Sequence, residues 1–142
     1  MSKIKSNNVG LFLNTGTEGA PVWKLMACLT DHGLDGETTE MNGDSKCGID
    51  RDAGDTTWSA SFEGFFERAP TVNQISGQQL IDLFQAKEKK QWKIVDATDD
   101  SYYRGFTAYI SSYSETGTYN EFVTFSGALN VSGNVITTAP TT

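Results

Sequence analysis

The chain has 142 residues, of which 37% are hydrophobic and 11% aromatic, and its 18 Asp and Glu outweigh 11 Lys and Arg for a net charge of −7. That length suits one domain able to bury a core without metal or disulfide support. The acidic balance argues against a nucleic-acid-binding face, which needs clustered Lys and Arg, and no stretch approaches an apolar membrane span.

The N-terminus, Met1-Ser2-Lys3-Ile4-Lys5, has no apolar signal core, so the expectation is synthesis in the cytoplasm. Residues 9–14 read as a short strand, followed by a turn over 15–19. Residues 22–30 read as one longer, largely apolar strand, with Cys28 as a small core residue. Residues 57–66 alternate, Trp58, Ala60 and Phe62 on one face and Ser59, Ser61 and Glu63 on the other, the period of a half-buried strand. After Pro70, Ser76 and Gln79 form a capping box that opens a helix. Its stripe of Leu80, Leu83 and Phe84, with Ile81, is expected to pack on a sheet, and its end is expected near Lys89–Lys90. Lys87, Lys89, Lys90 and Lys93 therefore read as cations gathered at a helix C-terminus.

Residues 91–96 form another strand, ended by a turn at Asp99-Asp100-Ser101. Residues 103–114 alternate Phe106, Ala108 and Ile110 against Thr107, Tyr109 and Ser111. In 119–131, Val123, Phe125, Gly127, Leu129 and Val131 alternate with Phe122, Thr124, Ser126, Ala128 and Asn130, and a polar tail follows over 137–142. Six or seven strands and one helix predict a mainly β domain, an antiparallel β-sandwich or open barrel with one flanking α-helix. The polar faces of 57–66 and 119–131 are small and nearly free of charge.

Residues 31–56 stand apart. Eight acids (Asp31, Asp35, Glu37, Glu40, Asp44, Asp50, Asp52 and Asp55) face only Lys46 and Arg51, and no aromatic residue occurs. So polar a segment is expected to be a long acidic loop, too poor in apolar surface to offset its own ordering entropy and in need of a partner.

Catalytic chemistry finds little to use. His32 is the single histidine and falls in the acidic segment, Cys47 has no second histidine for a dyad, and no phosphate-binding glycine loop occurs. The run from Asp50 to Asp55 departs from a calcium loop, because position twelve would be Phe62. No enzyme, cofactor or metal is expected.

Three stretches carry a resemblance: Trp58-Ser59-Ala60-Ser61-Phe62-Glu63-Gly64, Arg104-Gly105-Phe106-Thr107-Ala108-Tyr109-Ile110-Ser111-Ser112-Tyr113, and Glu121-Phe122-Val123-Thr124-Phe125-Ser126-Gly127-Ala128-Leu129. With the helix between the first two, this pattern resembles the major tail proteins (tail tube proteins) of long-tailed phages, related to tube proteins of contractile injection systems. The resemblance implies a virion tail subunit that forms hexameric rings stacked into a hollow tube. DNA would pass through without specific binding, and tape-measure and tail-terminator proteins would be partners. Asp31, Asp35, Glu37, Glu40, Asp44, Lys46, Arg51, Asp52 and Asp55 then become candidates for a loop reaching the adjacent ring. Ser59, Ser61, Glu63, Thr124, Ser126 and Asn130, chosen by alternation, become candidates for the lumen face. A tube of a contractile tailocin or type VI-like system is the alternative, and a carbohydrate-binding β-sandwich using Trp23, Trp58, Trp92 or Tyr102-Tyr103 is a more distant one.

Overall fold

The computed structural model describes residues 9–17, 19–42, 51–68, 70–96 and 99–138. Lys3, Lys5, Asp44, Lys46, Cys47, Asp50 and the last four residues of the polar tail lie outside them. Eight strands and one helix follow in chain order: β1 (Val9–Asn14), β2 (Trp23–Met26), β3 (Leu29–Asn42), β4 (Arg51–Phe65), β5 (Gln74–Ile75), α1 (Gly77–Ala86), β6 (Lys90–Asp96), β7 (Asp99–Thr116) and β8 (Thr124–Ile136). The mainly β class with a single helix agrees with expectation. The strands belong to one mixed sheet, ordered β3-β4-β8-β7-β6-β1-β2-β5, in which only β2 and β5 pair in parallel.

Alternation builds the core. Leu11 and Leu13 of β1, Trp92 and Ile94 of β6, Phe106, Ala108 and Ile110 of β7, Ala60 and Phe62 of β4, and Phe125 and Leu129 of β8 form one buried cluster. Strands from both halves of the sheet thus share a single interior, and the sheet curls to cover it. Trp92 is fully buried and its indole N–H donates to the Ala108 carbonyl at 3.3 Å, so its polar atom is not orphaned. Asn14, also buried, donates to Gln91 at 2.9 Å and accepts from the backbone N–H groups of Gly16 and Val22, which locks the β1–β2 turn.

The expected strand over 22–30 is broken. β2 stops at Met26 and β3 starts at Leu29, with Cys28 between them at φ 56. The apolar run therefore turns a corner that carries the chain from one end of the sheet to the other. Cys28 is exposed rather than in the core, and its thiol lies 3.9 Å from Glu67. Gly64 makes the corner possible, because a Cβ there would sit 2.6 Å from the Cys28 carbonyl oxygen and 3.1 Å from Leu29 Cα. Both obstacles are backbone and cannot swing aside. Gly64→Ala is expected to cost about 1–3 kcal/mol, read as a lowered thermal midpoint.

The largest correction concerns 31–56. Residues 31–42 and 51–56 are strand, forming with 57–65 a long antiparallel hairpin, and residues 43–50 lie outside the described part. Its inner half is anchored by Ala60 and Phe62 in the core, with Leu29 and Leu34 packed against it, and farther out backbone pairing and threonine contacts hold it. Thr38 and Thr56 hydroxyls meet at 3.3 Å, and the Thr39 hydroxyl donates to the Asp55 carbonyl at 3.2 Å. Register also keeps like charges apart: Asp35 faces Ser59, Glu37 faces Thr57 and Glu40 faces Ala53, leaving Asp31 opposite Glu63 as the acid–acid pair.

Smaller departures follow the same logic. Asp99-Asp100-Ser101 opens β7 instead of forming a turn, with Asp99 paired to Asp96. β8 begins at Thr124, not at 119. In α1, Gln79 accepts from the Ser76 backbone N–H at 3.0 Å, as the capping box predicts. The helix ends earlier than expected, where Lys87 adopts φ 57 and donates to the Leu83 and Phe84 carbonyls. Leu80 of the predicted stripe is buried, whereas Phe84 turns to solvent. The lysines do not share one helix end: Lys93 sits within β6, 4.4 Å from the Trp23 ring centroid, and Lys90 pairs with Glu88 at 3.2 Å.

Candidate functional site: a hydroxyl-rich sheet face

The β3-β4-β8-β7 half of the sheet turns one face to the core and the other outward. Register fixes the outward rows. Asp31, Glu63, Ser126 and Ser114 lie side by side across the four strands, then Gly33, Ser61, Ala128 and Ser112, then Asp35, Ser59, Asn130 and Tyr109. Thr124 stands one step beyond the first row, opposite Phe65 and Thr116. All six residues expected on a common polar face therefore share it, with Ser59, Ser61, Glu63 and Asn130 exposed and Thr124 and Ser126 half-buried.

Cross-strand hydrogen bonds tie the face together. Ser114 and Ser126 hydroxyls meet at 2.8 Å, Asn130 donates to the Tyr109 hydroxyl at 2.8 Å, and the Ser111 hydroxyl donates to the Ala128 carbonyl at 3.2 Å. β3, β8, residues 57–65 of β4 and residues 109–116 of β7 contain no Lys or Arg. The face is thus hydroxyl-rich and weakly acidic, with Asp31, Asp35, Glu37 and Glu63 as its charges.

Sequence reasoning missed the β7 contribution of Ser112 and Ser114. A register shift between Ile110 and Ser112 resets the alternation, so Tyr113 turns inward to stack on Phe125 with ring centroids 6.3 Å apart. Burial raises the Tyr113 pKa, and its hydrogen bond and charge interaction with Glu115, at 2.8 Å, push it further up. Burial likewise raises the Tyr103 pKa. Of the residues expected to act as a loop, Asp31, Asp35 and Glu37 join the outward face. Glu40, Arg51, Asp52 and Asp55 lie farther along the hairpin, so the set is spread along two strands rather than gathered at a tip.

Two concavities lie on or beside this half of the sheet. One, about 350 Å³, is a shallow dip in the outward face beside Ser61, Glu63, Ser114 and Ser126. The other, about 370 Å³, lies beside His32, Trp58, Tyr102 and Arg104. Arg104 is engaged there, its guanidinium 4.7 Å from the Tyr102 ring centroid and donating to the Tyr103 carbonyl at 2.8 Å. Asp31 and His32 also line the first dip, and no group of three potential metal ligands occurs among the described residues. The geometry presents a broad polar face with a shallow dip.

A family model described as phage tail tube protein matches residues 3–137. The chain belongs to that family. Membership makes it a structural tail component, in keeping with a wall-like face. Its fold is similar to that of the gene transfer agent tail refined with C6 symmetry, at 17% identity and a TM-score of 0.74, covering 96% of this chain and 100% of that one. It is also similar to the SPP1 tail tube, at 18% identity and 0.77, covering 97% and 80%. The sheath–tube complex of the extracellular contractile injection system PVC matches at 13% and 0.69, covering 97% and 93%. No curated protein matches the chain. Among the described residues no helix is long and apolar enough to cross a membrane.

Proposed function

We propose that this tail tube protein closes into six-membered rings through edge-to-edge strand pairing, and that the rings stack into a conduit for DNA. The observation that carries the reading is a pair of open edges. Among the described residues β3 is the last strand of the sheet, with no strand on its far side. β7 pairs with β6 along residues 99–108, which leaves residues 109–116 without a strand partner on that edge among the described residues. These are the two lateral edges of the β3-β4-β8-β7 unit. Such edges invite pairing with another chain, and pairing two unlike edges gives a head-to-tail contact that closes when the rotation allows.

Six copies would contribute about 24 strands; at about 4.8 Å between strands the circumference is roughly 115 Å and the diameter about 37 Å before tilt widens it. A duplex passes through such a bore. The hydroxyl-rich face would line it, since phosphates find no Lys or Arg there to hold them. Tape-measure and terminator proteins would occupy the interior and the end of the stack. Negative-stain microscopy of the concentrated protein should show six-fold rings or tubes. A chain that stays monomeric at every concentration contradicts the proposal.

A further inference from the structure

The outward face ends in an apolar knuckle. Between β7 and β8 a tight turn is held by the Glu121 N–H donating to the Thr118 carbonyl at 2.9 Å, with Asn120 at φ 66. Asparagine tolerates this left-handed position better than a bulky residue. The turn leaves Tyr119 90% exposed and Phe122 81% exposed. Phe122 is held in place rather than loose: it meets Phe65 edge-on with ring centroids 5.9 Å apart, and the Phe66 N–H donates to the neighbouring Val123 carbonyl at 2.9 Å. Phe65 and Val123 are themselves 43% and 44% exposed. Single exposed apolar residues are ordinary, but a contiguous aromatic patch on a fixed turn marks a contact surface.

Its rim is acidic, formed by exposed Glu115 and Glu121. The same chain carries the complementary surface at the C-terminal corner of α1. There Phe84 is exposed and is followed by exposed Lys87 and Lys89, with Lys90 already paired to Glu88. One copy cannot satisfy itself. Lys90 is opposite Ala108 of β7, whereas the knuckle follows Thr116. Eight residues of strand separate them, about 26 Å.

We propose that the knuckle of one copy seats on the α1 corner of a neighbouring copy, Phe122 and Tyr119 against Phe84, and Glu115 and Glu121 against Lys87 and Lys89. The contact rests on the tube reading above and adds a second, side-chain-specific interface to strand pairing. An apolar centre with a charged rim of opposite sign on the two sides supplies affinity at the middle and register at the edge.

A charge swap in the full-length protein tests it, with assembly followed by sedimentation and microscopy and folding by thermal melting. Glu121→Lys and Lys89→Glu should each raise the concentration needed for assembly by about tenfold. The chain carrying both should return to near the wild-type value, because the pair is restored with reversed polarity. Phe122→Ser should prevent assembly while leaving the melting midpoint within a few degrees, as the side chain is already largely exposed. A doubly reversed chain at least as defective as the two single variants combined, or a Phe122→Ser chain that assembles like wild type, overturns the contact while leaving the tube reading intact. A wild-type chain that never assembles removes both.

Discussion

Proline introduced singly at residues 35 to 38 of β3 is expected to give two alternating outcomes. Successive backbone N–H groups of an edge strand point in turn to the partner strand and to the open side. Where the N–H faces β4, proline removes an internal ladder bond and its ring disturbs the pair, so the protein itself is destabilised. Where the N–H faces outward, the isolated protein keeps its melting temperature but loses a bond to the next copy. One hydrogen bond is worth about 1 kcal/mol, and a closed ring of six loses it six times. The deficit of about 6 kcal/mol corresponds to roughly four orders of magnitude in ring stability. Folded monomers with no rings at every second position, scored by melting and microscopy, would be the signature. If all four variants assemble normally, β3 is not a closing edge.

The acidic hairpin shows where sequence reading succeeds and where it stops. The alternation of Trp58, Ala60 and Phe62 with Ser59, Ser61 and Glu63 placed half of β4 correctly, because burial of one face writes a period of two into the residues. The same strand continues back through 51–56, where residues 54–56 are half-buried or exposed on both faces and the residues show no period to read. Acidic composition then suggests disorder, yet a polar ribbon persists when its backbone extends a ladder already begun. Cys28 failed for a related reason. A single residue in the left-handed region reverses the chain without leaving any mark on the hydropathy of 22–30. The polar face was legible on β4 and β8, which alternate without interruption. The β7 part was not, since the shift at Ser111 exchanges inside for outside and depends on pairing with β8 rather than on local residues. The knuckle was hidden too, because Phe122 and Val123 read as strand continuation until the turn at Asn120 exposes them.

Lysines placed on the hydroxyl-rich face are expected to leave assembly intact and to abolish delivery. Ser59 and Ser61 are exposed and adjacent on β4, away from both open edges and from the knuckle, so Ser59→Lys with Ser61→Lys disturbs neither contact. If the face lines the bore, every six-membered ring gains about twelve cations directed at the passing duplex. Each neutralised phosphate releases counterions, and even six to ten contacts change affinity by about 10³–10⁵ between 50 and 200 mM salt. A duplex threaded through many such rings would be held at physiological ionic strength. In a phage carrying this tail protein, the expected result is normal particles by microscopy with infectivity reduced by orders of magnitude. Tubes of the variant protein should retain DNA in a form that nuclease cannot reach and that high salt releases. Glu63→Gln, which only removes a repelling charge, should act in the same direction and far more weakly. Particles that infect normally with both lysines present would place this face on the outside of the tube. The absence of Lys and Arg from β3 and β8 would then need another cause.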